Sequence, residues 1–509
     1  SHICIYKIYG VSGKMAEDKG LVVNIVLVGS NPMPCYVQAA YLMDESRQEA
    51  EALPVPDVHI FAHTKDTAEY METTRGILMD KCGLREDVLS GLQFDSEGRQ
   101  EDIQRKIEDA LNEKYQEKPI HKVILNNTGG TKAMTTYATM AVREWCREKS
   151  TPLVECYLDD ASKKLNCVRL GNGESGWGLR GYAFYPEEKN LNYFVHLSVE
   201  EISRLYGYEK CGNKNGALFV RPLGQEPADR EAREAFEAAL KAAAKRIFSD
   251  EDFMKKYLKL FARLIYINNF KNIAAEICTA EKEFSYEIPC SPKNILKLFD
   301  AEEEKGWFHY DDKQGFVAAT PEGECWTNLF HKMEPLSKKK KMKDKFPEYL
   351  TMYRKDWFEQ YIYMAVRDAV EEAQKCAGTL PEIDLAWSLE VKKESGDKGF
   401  ELDIVMSVGY ELKVLSLTID NDSLMAEHKF FEAVFRGEIL GGTHSQIIAV
   451  NWAENRDELK KGLSSFSGEQ YHHIEIWGKE EVSDYDKLKE HVKKLLKTEA
   501  ADICGEEAI

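Results

Sequence analysis

The chain has 509 residues, too many for one core, and its 43% hydrophobic and 30% charged residues describe a globular chain rather than a disordered or fibrous one. With 87 acidic against 68 basic side chains the formal charge is −19, which excludes a uniformly basic nucleic-acid coat but leaves room for a local basic groove. No run of apolar residues is long enough to span a membrane.

The chain opens Ser-His, so residues 1–14 read as a cloning remnant or an extension before Met15, without the layout of a signal peptide. The apolar run 21–28 ends in Gly29-Ser30-Asn31-Pro32 and predicts a buried parallel strand, a turn, then a helix from Tyr36 to Met43. Val58–Ala62 predicts a second strand, and Ile103, Ile107 and Leu111 mark a helix over 97–116. Lys122–Leu125 predicts a third strand. It is followed by Asn126-Asn127-Thr128-Gly129-Gly130-Thr131-Lys132 and a helix through Trp145, then a strand over Val154–Leu158. This alternation implies an α/β fold with a doubly wound parallel sheet, which binds ligands beyond the carboxyl ends of its strands.

Helical periodicity returns over 227–275 and 292–305. Trp307–Tyr310 and Gly315–Ala319 then suggest a hairpin closed by Thr320-Pro321-Glu322-Gly323. The region reads as a winged-helix module or as a plain helical connector. The basic run 337–345 reads as a solvated linker, with a phosphate-contacting hinge as the sharper alternative. A mixed α/β segment follows: helix Trp357–Glu372, strands Leu385–Val391, Phe400–Met406 and Leu412–Leu417, a helix around Leu424–Phe435, and strand Gln446–Val450.

The twelve cysteines form no Cys-x-x-Cys pair, so they read as reduced cytosolic thiols rather than zinc ligands, and the expected compartment is the cytoplasm. His59, His63, His472 and His473 lack metal-ligand spacing, and no Gly-x-Ser-x-Gly elbow occurs.

Two places carry chemistry. The first is the loop 126–132: adjacent glycines let the backbone approach an anion at a helix start, and Thr128, Thr131 and Lys132 add two hydroxyls and a cation. With Gly29–Pro32 at the same sheet edge, this composition suits a phosphate or nucleotide. The alternative is a glycine pair that only eases helix packing. Neither a dinucleotide fingerprint nor a P-loop is present. The second is Glu401-Leu402-Asp403, whose alternation puts two carboxylates on one strand face, with Glu359 on the preceding helix as a third oxygen donor. Such a set would hold a divalent metal, Mn or Mg, against a scissile phosphate.

Leu27-Val28-Gly29-Ser30-Asn31-Pro32-Met33-Pro34 and Asn127-Thr128-Gly129-Gly130-Thr131-Lys132-Ala133-Met134, about one hundred residues apart, resemble the two ligand-loop motifs of CARF domains, the CRISPR-associated Rossmann folds. Phe61-Ala62-His63-Thr64 and Tyr157-Leu158-Asp159-Asp160 resemble further strand endings of that family, and the likeness covers roughly 20–170. It implies a homodimer that binds a cyclic oligoadenylate (cA4 or cA6) as part of type III CRISPR defence. Ser30, Asn31, Thr64, Thr128, Gly129, Gly130, Thr131 and Lys132 would contact the ring.

Trp357-Phe358-Glu359-x-Tyr361, Glu401-Leu402-Asp403 and Leu440-Gly441-Gly442 resemble the restriction-endonuclease-like PD-(D/E)xK domain fused to CARF domains in Card- and Can-type nucleases. That likeness implies cleavage of DNA or RNA, with Asp403 and Glu359 as metal-binding acids. The motif departs on the next strand. A turn centred near Val408–Gly409 would set Ser416 opposite Glu401, so Ser416 and Thr418 stand where Glu and Lys are expected. The pair then has migrated (Glu411 with Lys413, or Glu390 with Lys392, or a lysine from Lys429), or the domain is a pseudonuclease, or the chemistry lies elsewhere. Lys413 is the candidate catalytic lysine. A non-catalytic sensor and a ring nuclease that degrades its own messenger are the alternatives. The expected domains are 20–200 (CARF), 225–335 (helical or winged-helix-like connector) and 346–509 (nuclease-like).

Overall fold

The structure is a computed structural model. It describes residues 20–47, 53–96, 98–187, 189–212, 217–255, 257–258, 308–311, 315–318, 321–339, 348–349, 351–376, 380–393, 396, 399–419, 423–442, 445–452, 461 and 474–501. The expected helix over 292–305, most of the basic run, His472, His473 and residues 1–14 lie outside these. The chain divides into two units, Ser1–Phe194 and Val195–Ile509.

In the first unit β1 (Leu21–Leu27), β2 (Val58–His63), β3 (Leu89–Gln93), β4 (Ile120–Asn126), β5 (Leu153–Asp159), β6 (Lys164–Gly171) and β7 (Gly178–Tyr185) form one sheet, in the order β3-β2-β1-β4-β5-β6-β7. Neighbours from β3 to β5 run parallel; β6 and β7 extend the edge antiparallel. The helices are α1 (Met33–Met43), α2 (Ala68–Cys82), α3 (Gln100–Glu117) and α4 (Lys132–Glu148). β1 is almost wholly buried, as a parallel strand covered on both faces must be, which is why its sequence is a near-continuous apolar run. Ile103, Ile107 and Leu111 of α3 and Ala138, Val142 and Trp145 of α4 pack on Val23, Ile25 and Leu27. Because β1 pairs with both β2 and β4, the strand order reverses at β1, and the crevice of a doubly wound sheet opens between β1 and β4.

The second unit holds a six-stranded sheet, β15-β14-β13-β12-β11-β8. Its strands are β8 (Tyr208–Gly212), β11 (Ile383–Lys393), β12 (Gly399–Val408), β13 (Glu411–Leu417), β14 (Gln446–Val450) and β15 (Ile474–Trp477). From β8 to β13 neighbours are antiparallel, and β13, β14 and β15 are parallel. Its longer helices are α5 (Val199–Leu205), α6 (Arg230–Ser249), α7 (Pro321–Met333), α8 (Trp357–Cys376), α9 (Ser423–Gly441) and α10 (Tyr485–Ala501). Residues up to 200, expected with the first domain, divide at Phe194, and α5 and β8 join the second unit: β8 pairs with β11, far along the chain.

The connector has no separate core among the described residues. Phe236, Leu240 and Phe248 of α6 and Trp326 and Phe330 of α7 share one core with Trp357, Tyr361, Ile404 and Leu415. The Trp357 indole donates to the Tyr257 hydroxyl at 2.8 Å, which donates to the Tyr353 carbonyl at 3.0 Å. A two-stranded hairpin, β9 (Phe308–Asp311) with β10 (Gly315–Ala318), precedes α7. Pro321 does not close that hairpin as expected. It starts α7, where a proline lacks nothing, because a first-turn N–H has no intrahelical partner. On the opposite sheet face α9 packs Ala426 and Phe430 against Ala449 and Ile476.

Among the described residues, Cys35, Cys82, Cys146, Cys156, Cys167, Cys211 and Cys325 are free thiols, and no helix is long and apolar enough to cross a membrane.

Candidate functional sites

The first site lies at the carboxyl ends of β1 and β4. The two loops touch backbone to backbone. A Cβ on Gly129 would lie 2.0 Å from the Leu27 carbonyl oxygen, and one on Gly29 would lie 2.6 Å from the Gly130 nitrogen. Only glycine allows that approach. Gly130 also adopts φ +82°, a left-handed backbone that side chains resist. Asn126, fully buried, locks the arrangement: its amide nitrogen donates to the Pro34 carbonyl (3.1 Å), and its side-chain oxygen accepts from the Thr128 N–H (3.1 Å).

α4 begins where this loop ends. Thr131 caps it by accepting from the Met134 N–H at 3.3 Å, and the Thr135 hydroxyl donates to the Gly129 carbonyl at 3.1 Å. The remaining first-turn amides, the positive end of a 17-residue helix and the exposed Lys132 therefore meet at one edge. Ser30 and Thr131 are also exposed there. Two expected contacts have structural duties. Thr128 accepts from the Leu158 N–H at 2.8 Å, which ties the loop to β5, and Asn31 accepts from the Met33 N–H at 3.2 Å. Thr64, at the end of β2, belongs to a turn in which its own N–H donates to the Thr67 hydroxyl at 3.1 Å.

Behind β1 sits a buried polar network that sequence reading did not find. Asn24 and Gln38 exchange amide hydrogen bonds at 3.1 and 2.9 Å, and the Asn24 amide lies 3.1 Å from His59 Nδ1. Burial pushes the His59 imidazole down to about 4, so it is neutral at physiological pH.

The second site lies on the β12 face that meets α9. The turn between β12 and β13 is Gly409–Tyr410, with Val408 opposite Glu411 and Ile404 opposite Leu415. This corrects the expected register: one step further along the ladder, Ser416 stands beside Asp403, not Glu401. Asp403 accepts from the Leu417 N–H at 2.7 Å, and Lys429 Nζ of α9 stands 3.1 Å from its carboxylate. Lys429 also donates to the Leu417 carbonyl. Glu401 accepts from the Ser388 hydroxyl, and Arg436 donates to the Glu401 carbonyl at 2.9 Å.

Ser388 has φ +50° inside a strand and falls between the Trp387–Ile404 and Leu389–Leu402 pairs, directly across from Asp403. A non-glycine residue held in that region stores strain that the surroundings must override, a trait concentrated at functional sites. Glu390 pairs with Glu401 across the ladder and is buried.

Glu359, 5% exposed on the first turn of α8, has Lys355 Nζ 3.5 Å away. Lys355 comes from a five-residue π-helical turn, Met352–Asp356, that leads into α8. Burial pushes the Glu359 carboxyl up, opposed by Lys355; Asp403 and Glu401 push it further up, and Lys429 opposes them. Burial opposes the Lys355 charge, but Glu359, Asp356, Glu401 and Asp403 outweigh it and hold its pKa above the ordinary lysine range. Four elements thus bring Glu359, Glu401, Asp403, Lys355 and Lys429 into one electrostatic cluster.

Lys413 is not brought there. It pairs with Met406 and Gln446, donates to the Gln446 side chain at 2.8 Å and is 2% exposed. Three residues from Ser416, it belongs to the other face of the sheet. Lys392 is exposed at the far end of β11.

The donor chemistry of Glu359, Glu401 and Asp403 suits a hard divalent cation. Among the described residues no three acidic, histidine or cysteine side chains are gathered as a ligand set, and two lysines stand among these carboxylates.

The chain matches no protein-family profile and no curated protein. Among solved structures it is similar to protein VC1899 from Vibrio cholerae at 14% identity, over 94% of this chain and 98% of that one, with a TM-score of 0.51. At that identity the likeness is one of fold. Fainter likenesses are to Can2 from Sulfobacillus thermosulfidooxidans in complex with cyclic tetra-adenylate (15% identity, 92% of this chain and 99% of that one, TM-score 0.48) and to a type III CRISPR defence DNA nuclease activated by cyclic oligoadenylate (13% identity, 86% and 47%, TM-score 0.37).

Proposed function

We propose that this protein is an ancillary effector of type III CRISPR defence that senses a cyclic oligoadenylate at its N-terminal glycine loops. One observation carries the reading. Two loops interlock through glycines at the switch point of a parallel sheet, and they present a helix N-terminus, Thr131, Lys132 and Ser30 to solvent. A ring of phosphodiesters offers such a surface a set of evenly placed anions, which amides and one ammonium recognise without a deep pocket. In this reading Gly129 and Gly130 supply backbone, Lys132 supplies charge, and Thr128 and Asn31 hold the loops in shape. A homodimer would place two such edges around one ring.

The second unit is then the output domain. Its order of helix, three antiparallel strands, helix and parallel strand supports the restriction-endonuclease-like reading. A metal-dependent nuclease acting on DNA or RNA is the second reading of its output, favoured by the strained Ser388 opposite Asp403 and the buried acids beside it.

Calorimetric titration of the purified chain with cyclic tetra-adenylate and cyclic hexa-adenylate tests the sensing function. Saturable binding of one ring that is weakened by Lys132→Ala and Gly129→Val is the expected result. Equal indifference to both rings contradicts it. Incubation of the ligand-loaded protein with manganese and labelled single strands, with Asp403→Asn as control, tests the nuclease reading.

A further inference from the structure

Three acids of the second site already have a cation or donor beside them, and Glu390, buried across the ladder from Glu401, is a fourth carboxylate on that face. Lys355 faces Glu359 at 3.5 Å, Lys429 faces Asp403 at 3.1 Å, Asp403 also takes the Leu417 N–H at 2.7 Å, and Glu401 takes the Ser388 hydroxyl. On β13 the residue beside Asp403 is Ser416, so no carboxylate is added from that strand. A hard divalent cation needs several anionic oxygens turned toward one point, and positive charge already lodged there repels it.

The two lysines reach the cluster by separate routes. Lys429 comes from α9 above the β12 face, and Lys355 comes from the widened turn before α8, a backbone feature that re-aims side chains. Both are about one third exposed (32% and 35%), and each ammonium is held by an acid. Lys355 stands one turn before Glu359, and Lys429 is anchored a second time on the Leu417 carbonyl.

We infer that Lys355 and Lys429 are built-in counter-ions that take the electrostatic place of a divalent metal, so that the second unit binds neither Mg nor Mn and its output is not metal-dependent hydrolysis. This rests on the reading of the second unit as the output domain. It would leave a nuclease-like fold that changes its shape or its partners when the sensor is loaded, without breaking a phosphodiester.

The test is titration of the full-length protein with manganese chloride, with and without saturating cyclic tetra-adenylate. The wild type is expected to show no saturable binding at sub-millimolar manganese. The Lys355→Ala/Lys429→Ala variant, checked for native circular dichroism, is expected to bind manganese roughly tenfold or more tightly than the wild type. Asp403→Asn on that background is expected to remove the gain. Should the double variant not fold, Lys429→Ala alone is read the same way. Saturable manganese binding by the wild type that disappears in Asp403→Asn overturns the inference. So does a folded lysine-free site that still ignores manganese, since the lysines then do nothing that a metal would. Failure of the chain to bind any cyclic oligoadenylate is a separate result: it removes the sensing function and leaves the manganese outcome intact.

Discussion

The two candidate sites are built from opposite materials. The N-terminal one is made of backbone: glycines interlocked at 2.0 and 2.6 Å of notional Cβ contact, a capped helix start, and few exposed side chains. The C-terminal one is made of side chains drawn from four elements, with acids and lysines set against each other. A backbone site breaks when a methyl group is added. A side-chain site breaks when a charge loses its partner. The difference gives each substitution below a distinct signature.

The largest effect is expected from Gly129→Val. Its Cβ would overlap the Leu27 carbonyl, and since neither partner is a flexible side chain, the loops must separate. We expect a stability loss of about 3 kcal/mol or more, with loss of ring binding, in denaturant unfolding and calorimetry. Little change in either would show that the loops are not locked.

Next comes pH. Burial holds His59 neutral and pushes its pKa down to about 4, whereas an unfolded chain protonates it near the ordinary imidazole value of 6.5. Stability is therefore fully present above pH 6.5 and falls between there and pH 4, by at most roughly 3 kcal/mol. Hydrogen-exchange protection of the β1 and β2 amides, corrected for intrinsic rates, reads this slope, and His59→Gln should flatten it. A slope that survives the substitution would assign the effect to another group.

Asp403→Ala sharpens the comparison from the other side. It leaves the Leu417 N–H without its acceptor and takes from Lys429 its carboxylate, leaving only the Leu417 carbonyl, and is expected to cost about 2 kcal/mol. It should leave ring binding unchanged, and a change in ring affinity would mean that the two sites are not separable. Thr131→Ala is the mildest. It removes a helix cap and is expected to cost about 1 kcal/mol, with ring affinity reduced less than by Lys132→Ala.

The same contrast governs what the sequence reveals. β1, β2, β4, β5 and the helices α1, α3 and α4 are legible because fully buried strands read as apolar runs and their loops as Gly and Asn clusters. β3 is not, since only Leu89 of its five residues is buried, and an edge strand carries no strong pattern. β6 and β7 alternate weakly, with Tyr182 and Phe184 exposed, and β8 depends on a partner far along the chain. At the second site Glu359, Glu401 and Asp403 are visible as acids at strand and helix starts. Lys355 is not, because a lysine before a helix looks like any surface charge and the π turn that aims it has no sequence mark. Lys413 was misdirected by the strand's parity, which places it on the face away from Asp403. The strain at Ser388 arises in the folded backbone and leaves no mark in the sequence.

The most direct measurement of the central claim is an isothermal titration of the intact protein with cyclic tetra-adenylate, repeated with Lys132→Ala and with the linear tetra-adenylate. The account predicts saturable binding of the closed ring, weaker binding to the variant, and weaker binding of the linear form. Absence of heat with the closed ring, repeated with cyclic hexa-adenylate, or equal affinity for wild type and variant, would contradict it.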